Sequence, residues 1–212
     1  KSPGECFEVN LVGTQRVLEW SRIAGVKKFI YSSTSSLYGH QNSIPFNPNM
    51  PPDCLNPYSM SKWMGEQVCK LYSQLYGFNS VTLRYFNVYG PREPLKGPYA
   101  PVVGLFKRQY SLNENITIVG NGEQKRDFTY ISDVVSANIL AAKADISGNK
   151  IYNIGTGKSI SINYLASLIG GNVIHIDKRP AEVQETLADI EATIKDLLWT
   201  PMISIEKVIN DY

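Results

Sequence analysis

The sequence predicts an α/β protein: the carboxyl-terminal part of a parallel, doubly wound sheet, with a smaller mixed α/β unit attached. Three observations carry this. Short apolar runs at residues 26–31 and 80–86, bounded by glycine, serine or asparagine, have the length and flanks of buried strands. A helical stretch over residues 57–76 lies between them, and strand, helix, strand in that order implies a right-handed crossover and parallel pairing. A third apolar run, Ile151 to Ile154, leads into Gly155-Thr156-Gly157, a tight strand-to-helix turn. Residues 1–89 are therefore expected in the sheet unit and 90–212 mainly in the smaller one, with segments near 127–154 returning to the sheet.

The elements follow in order. The chain begins at Lys1, without methionine, and its first dozen residues already read as a helix that carries Phe7, Leu11 and Leu18 on one side, so it starts in mid-architecture. The run 26–31 ends at the hydroxyl cluster Ser32-Ser33-Thr34-Ser35-Ser36. Five prolines between residues 39 and 57 predict a long loop, and Pro57 suits the first turn of the next helix. Asn87 closes the second strand. Beyond Gly90 come a loop, a helix near 100–112, a strand at Ile116 to Val119 and a turn at Gly120-Asn121-Gly122. Ser132 can cap a helix that runs to about Ala144, and Ser161 can cap one whose apolar face is Ile162, Leu165, Leu168 and Ile169. A strand at Val173 to Ile176 and two short helices complete the smaller unit.

Composition narrows the function classes. A formal charge of +2 over 212 residues, with no basic run, gives no electrostatic footprint for nucleic acid. Cys6, Cys54 and Cys69 are odd in number and lack paired spacing, which fits packing roles in a reduced, cytoplasmic setting. No apolar stretch approaches the roughly 20 residues of a membrane span. Two histidines, His40 and His175, make no metal constellation.

The chemistry centres on Tyr58 and Lys62. At i and i+4 on one helix face, the lysine charge can favour the phenolate, and a phenol so tuned can take a proton from an alcohol. The spacing alone is common in a chain with 13 tyrosines, so its neighbours supply the weight. Ligands of parallel sheets bind beyond the carboxyl ends of the strands, where the Ser/Thr cluster and Asn87 fall. Gly155-Thr156-Gly157-Lys158-Ser159 looks like the end of a phosphate-binding loop, but Tyr152 stands where that motif needs glycine. No segment matches the glycine-rich turn that seats a dinucleotide pyrophosphate.

Asn10 to Thr14, Phe29 to Gly39, Pro57 to Lys62, Leu83 to Pro91, Arg126-Asp127-Phe128 and Arg179 to Val183 occur in this order. Together they resemble the extended short-chain dehydrogenase/reductase family, and within it the NAD-dependent nucleotide-sugar 4-epimerases that act on UDP-glucose and UDP-N-acetylglucosamine. The resemblance implies a Rossmann-like sheet, NAD as cofactor, and roughly a hundred residues upstream that hold the glycine-rich turn. It makes Tyr58 the acid/base, Lys62 its partner on the nicotinamide ribose, and Thr34 the hydroxyl that bonds the reacting sugar. Asn10, Ser32 and Tyr85 fall at cofactor positions. Ser36, Asn87, Thr117, Val119, Arg126, Arg179, Glu182 and Thr186 fall at substrate positions; the two arginines match those on the nucleotide diphosphate, and Glu182 stands where an aspartate usually binds ribose. The alternative for Arg126 is a surface ion pair with Asp127 or a neighbour.

The resemblance also separates reactions. Family dehydratases follow the threonine with an Asp-Glu pair, and decarboxylases keep a glutamate nearby, whereas Ser35 and Ser36 supply no carboxylate. C4 epimerisation of a UDP-hexose or UDP-N-acetylhexosamine through a 4-keto sugar is the expected isomerase activity. Thr186 aligns with a gate beside the sugar, and its small size favours N-acetylhexosamines or both sugar types. The competing readings are a noncatalytic fragment that binds nucleotide sugar, and a dehydratase or reductase. Family members are commonly homodimers through the first helix and the Tyr58 helix, and the apolar face near Trp20 and Trp63 is compatible with that.

Overall fold

A computed structural model describes residues 2–97, 100–178 and 183–210. Three parallel strands, β1 (Lys28–Thr34), β2 (Asn79–Tyr85) and β7 (Asn149–Ile154), form a sheet with β2 at its centre. Between β2 and β7 come β3 (Val88–Tyr89), β4 (Ile116–Val119), β5 (Lys125–Arg126) and β6 (Thr129–Tyr130); β8 (Ile160–Ser161) and β9 (Val173–Ile176) follow. These six make three two-stranded sheets: β3 with β6 and β4 with β9 parallel, β5 with β8 antiparallel.

Helices cover both faces of the main sheet. The amino-terminal helix is α1 (Pro3–Phe7), a π-helical turn at Glu8–Val12 and α2 (Gly13–Ile23). Of its expected apolar side only Leu18 is fully buried, while Phe7 and Leu11 are half-buried. With α3 (Pro57–Tyr76) it encloses Leu18, Tyr31, Cys69, Tyr72 and Phe78. On the other face, α5 (Ile131–Lys143) and α7 (Glu191–Leu197) bury Val81, Leu83, Ala137 and Ile154 with Trp199. The Trp199 indole N–H donates to Asp133 O at 3.0 Å and Ser136 Oγ at 2.9 Å, so its burial leaves no donor unpaired. A separate core under α4 (Val102–Ser111), α6 (Ile162–Ile169) and α8 (Ile205–Asn210) gathers Phe106, Ile116, Ile118, Ile162 and Leu165.

Several boundaries move for physical reasons. The first strand starts two residues later than the apolar run and includes Ser32 to Thr34, because these pair in register with Leu83 to Tyr85. Ser132 is not a cap: α5 begins at Ile131 after Tyr130, with no side-chain cap, and Ser132 lies in its first turn. Ser161 does cap α6, its hydroxyl accepting from Tyr164 N at 3.0 Å.

The helix that carries Tyr58 is fixed at its start. Asn56 Oδ1 accepts from Ser59 N at 2.9 Å, the Asn56 N–H reaches Ser59 Oγ at 3.4 Å, and Pro57 follows the cap. This reciprocal box is worth on the order of 1 kcal/mol and sets where Tyr58 points. Gly65 lets α3 press on β1, since a Cβ there would run into the Tyr31 hydroxyl.

Candidate active site

The sequence-derived site residues fall into two groups at the carboxyl edge of the sheet. The first surrounds Tyr58. The Thr34 hydroxyl lies against its phenol, donates to Ser36 Oγ at 3.1 Å and accepts from Ser36 N at 3.1 Å. Burial holds the Tyr58 phenol above its ordinary pKa, and the Thr34 hydroxyl works against that rise. The expected depression by Lys62 is not seen: its ammonium lies 4.5 Å over the Tyr31 ring, drawn to the negative face of the π system.

Burial lowers the pKa of Lys62. Its ammonium is half-buried and makes no hydrogen bond to a described residue, which leaves three donors on a partly desolvated cation. Neighbouring neutral oxygens, such as a pair of adjacent hydroxyls, are acceptors that such a group suits.

Asn10 lies in the π-helical turn and acts from behind. Its Nδ2 donates to Ser61 Oγ at 3.1 Å, and Ser61 Oγ donates to Tyr58 O at 2.8 Å, tying the first turn of α3 to the amino-terminal helix. Strand alternation turns Tyr31 and Ser33 toward α3 and Ser32 the other way. Ser32 Oγ meets the Tyr85 hydroxyl at 3.0 Å, and that hydroxyl donates to Asn138 Oδ1 at 3.0 Å.

Under this cluster runs a buried polar network that the sequence reading missed. Glu66 and Arg84, 1% and 4% exposed, pair through Nε at 3.0 Å and Nη2 at 2.7 Å. Ser33 donates to Glu66 Oε1. Arg84 Nη1 also reaches the Tyr38 hydroxyl at 2.9 Å and Pro48 O at 3.0 Å, and Tyr38 donates to Asn153 Oδ1 at 2.7 Å. The signal was present, since a charge inside the run Ser80 to Phe86 needs a buried partner.

The second group lines a cleft of about 250 Å³ between α4, β4, β9 and the end of β2. Asn87, Thr117, Val119 and Arg126 converge there, with Phe106 and Gln124 among residues not singled out from sequence. Gln109 fixes Thr117 from behind: its Nε2 donates to Thr117 Oγ1 at 2.9 Å and its Oε1 accepts from Thr117 N at 3.2 Å. Thr186 joins Asn87, accepting from its Nδ2 at 3.1 Å. Arg179 and Glu182 lie outside the described residues.

Asp127 does not serve as an ion-pair partner for Arg126. Its carboxylate is fully buried and accepts from Thr156 N, Thr156 Oγ1, Gly157 N and Ala188 N at 2.7 to 3.1 Å. Burial raises its pKa against those four bonds. The donors of the Thr156-Gly157 turn are thus spent on Asp127, which agrees with a structural turn over a phosphate loop. Among the described residues there is no metal-binding group of three His, Cys, Asp or Glu, and no helix long and apolar enough to cross a membrane.

Comparison with known proteins places this geometry. Residues 1–155 match the model of the NAD dependent epimerase/dehydratase family. A UDP-glucuronate 4-epimerase of Thermodesulfobacterium geofontis is 38% identical over 98% of this chain and 64% of its own length. The structure of a Thermotoga maritima UDP-glucose 4-epimerase with UDP-glucose superposes with a TM-score of 0.93 at 33% identity, over 98% of this chain and 69% of that one. That of a UDP-N-acetylglucosamine 4-epimerase from Methanobrevibacter ruminantium, in complex with UDP-N-acetylmuramic acid, gives 0.91 at 31% identity, over 96% of this chain and 67% of that one. The chain therefore spans about two thirds of the length of these relatives, and its sheet is of the Rossmann type. On the family model and these identities together, the chain belongs to the NAD dependent epimerase/dehydratase family.

Proposed function

We propose that the protein epimerises C4 of a UDP-hexose or UDP-N-acetylhexosamine through a 4-keto sugar. The observation that carries this reading is the Tyr58 phenol against the Thr34 hydroxyl, with Ser35 and Ser36 alongside and no carboxylate at either position. Elimination of water or loss of CO2 calls for an acid or base beside the sugar that these serines do not provide. Epimerisation needs only one group that removes and returns a proton.

In this reading Tyr58, as phenolate, takes the C4 hydroxyl proton, and Thr34 orients that hydroxyl. NAD, when bound, would supply the two-electron oxidation of C4 and its reversal on the opposite face. Lys62 would hold the ribose of that cofactor, one helical turn from Tyr58. Asn10, through Ser61, keeps the first turn of α3 in place. Arg126 supports the nucleotide diphosphate, and Thr117 and Val119 the rest of the nucleotide. The small Thr186 leaves room for an acetamido group. The exposed apolar side chains Trp20, Ile23, Leu71 and Leu75 on α2 and α3 suit a homodimer seam.

The test is product analysis by NMR with NAD+ and UDP-glucose or UDP-N-acetylglucosamine. Wild type is expected to interconvert the C4 epimers, and Tyr58→Phe to be slower by about 10²- to 10⁴-fold. An unsaturated or deoxy product, or a Tyr58→Phe variant as fast as wild type, would sink the proposal.

A further inference from the structure

Helix α4 contributes to two cavities whose lining residues do not overlap. Its Val102, Leu105 and Phe106 line the cleft of about 250 Å³ described above. Its Lys107, Arg108 and Tyr110 line a second cavity of about 680 Å³, to which the loop after β3 adds Arg92, Glu93 and Leu95, and α6 and α8 add Leu168, Ile169 and Ile209. That volume lies within the roughly 300–1,000 Å³ of small-molecule pockets. Nothing in the proposed epimerisation uses it.

The lining is amphipathic, and its charges are unevenly matched. Glu93 packs on α4 where Gly104 has no side chain, since a Cβ there would come within 2.9 Å of the carboxyl carbon. Burial raises the pKa of Glu93 and lowers that of Lys107, in each case against the attraction between the two, so both charges lie in poorly solvated surroundings. Glu93 Oε2 and Arg108 Nε are shut off from solvent and have no hydrogen-bond partner among the described residues. The two Nη atoms of Arg108 reach Glu114 at 3.2 and 3.3 Å, which matches that charge. Arg92 is exposed, stands at φ +70°, and meets no acceptor among the described residues. With Glu93 and Glu114 set against Arg92, Lys107 and Arg108, one positive charge is left over. On the apolar side, Tyr110 lies by the Gly170-Gly171 turn, where a Cβ on Gly171 would come within 3.2 Å of its ring, and both Tyr110 and Leu95 are half-exposed.

We infer that this cavity is a second ligand site, for a small organic monoanion with a carboxylate head and an apolar body. The planar fork of Arg92 suits the two oxygens of the carboxylate. Tyr110, Leu168 and Ile169 cover the body and lose water as it enters. A neutral apolar molecule would leave Arg92 without a partner, and a bare anion would leave the apolar lining wet. A doubly charged head such as a phosphate exceeds the single positive charge left over and meets Glu93. No residue lines both cavities, so the site stands or falls independently of the proposed function.

Calorimetric titration of the full chain with octanoate, its neutral analogue octanamide, and acetate tests head and body separately. Wild type is expected to bind one octanoate about tenfold more tightly than either octanamide or acetate, and saturating UDP should change that Kd by less than about twofold. Arg92→Gln should weaken octanoate by about tenfold and leave octanamide unchanged, because it removes only the charged fork. Tyr110→Ala should weaken both by about fivefold, because it removes part of the apolar wall. Both substitutions fall at exposed positions outside the cores, where folding tolerates them. The inference is overturned if octanoate fails to bind at about 10 mM, if octanamide or acetate binds as tightly, if UDP displaces octanoate, or if Arg92→Gln leaves the octanoate Kd at its wild-type value.

Discussion

The two halves of the site are built in different ways. Around Tyr58, one helix and one strand end supply nearly every group, and the arrangement is locked from below by the buried Glu66–Arg84 pair and from the side by Asn10 and Ser61. The cleft that holds Asn87, Thr117, Val119 and Arg126 is assembled from short segments far apart in sequence, one of them a strand of two residues, joined mainly by main-chain bonds and by the Asn87–Thr186–Asp127 knot. The difference teaches that the proton-transfer half depends on a few buried charges, whereas the recognition half depends on many weak links. Damage should be concentrated in the first and graded in the second.

The largest effect expected from this contrast is at Arg84. Arg84→Met leaves the Glu66 carboxyl group at 1% exposure without its charged partner, a loss of about 3–5 kcal/mol in urea unfolding. Arg84→Met with Glu66→Leu removes both charges and should recover much of that loss. A single-variant cost below about 1 kcal/mol would show that the polar network does not hold the Tyr58 half together. Arg126 should behave oppositely. Arg126→Lys keeps the charge but loses the planar fork, so UDP binding should weaken by about tenfold while unfolding free energy stays within about 0.5 kcal/mol. A large stability loss there would mean that the recognition wall is as concentrated as the other half.

The same contrast governs what could be read from the chain. The helix from Pro57 to Tyr76 was legible because proline marks its start and the i, i+4 pair shares a face. The strand that ends at Thr34 was cut short, since hydroxyl residues do not register as an apolar run although they pair in the sheet. Arg84 was read past as one residue of an apolar strand, when its charge already demanded a partner such as Glu66. The cleft has no periodic signal at all. Thr117 lies on a strand, Arg126 on a two-residue strand and Thr186 in a coil segment, and only the resemblance put them on one list. That resemblance could not show that Asn87 spends both amide hydrogens internally, on Asp127 O and Thr186 Oγ1, because hydrogen-bond valence is a property of the folded backbone.

Cys69 gives the smallest and most local test, because it lies in the seam between α3 and β1 that the concentrated half depends on. It is fully buried, and desolvation, followed by the charge of Glu66, pushes its thiol up to about 12. At pH 8 roughly one thiol in 10⁴ would be ionised, and the thiolate is the form that iodoacetamide attacks. Cys69 should therefore stay unmodified in the native protein and react within minutes in denaturant, as read by mass spectrometry of peptides. The linkage has a definite sign: the folded pKa lies above the ordinary value of 9.0, so this contribution is complete below about pH 9 and is lost as pH rises toward 12. Native labelling at pH 8 at the rate of a free thiol would show that the seam opens readily, and that the half of the site around Tyr58 is as loosely held as the cleft.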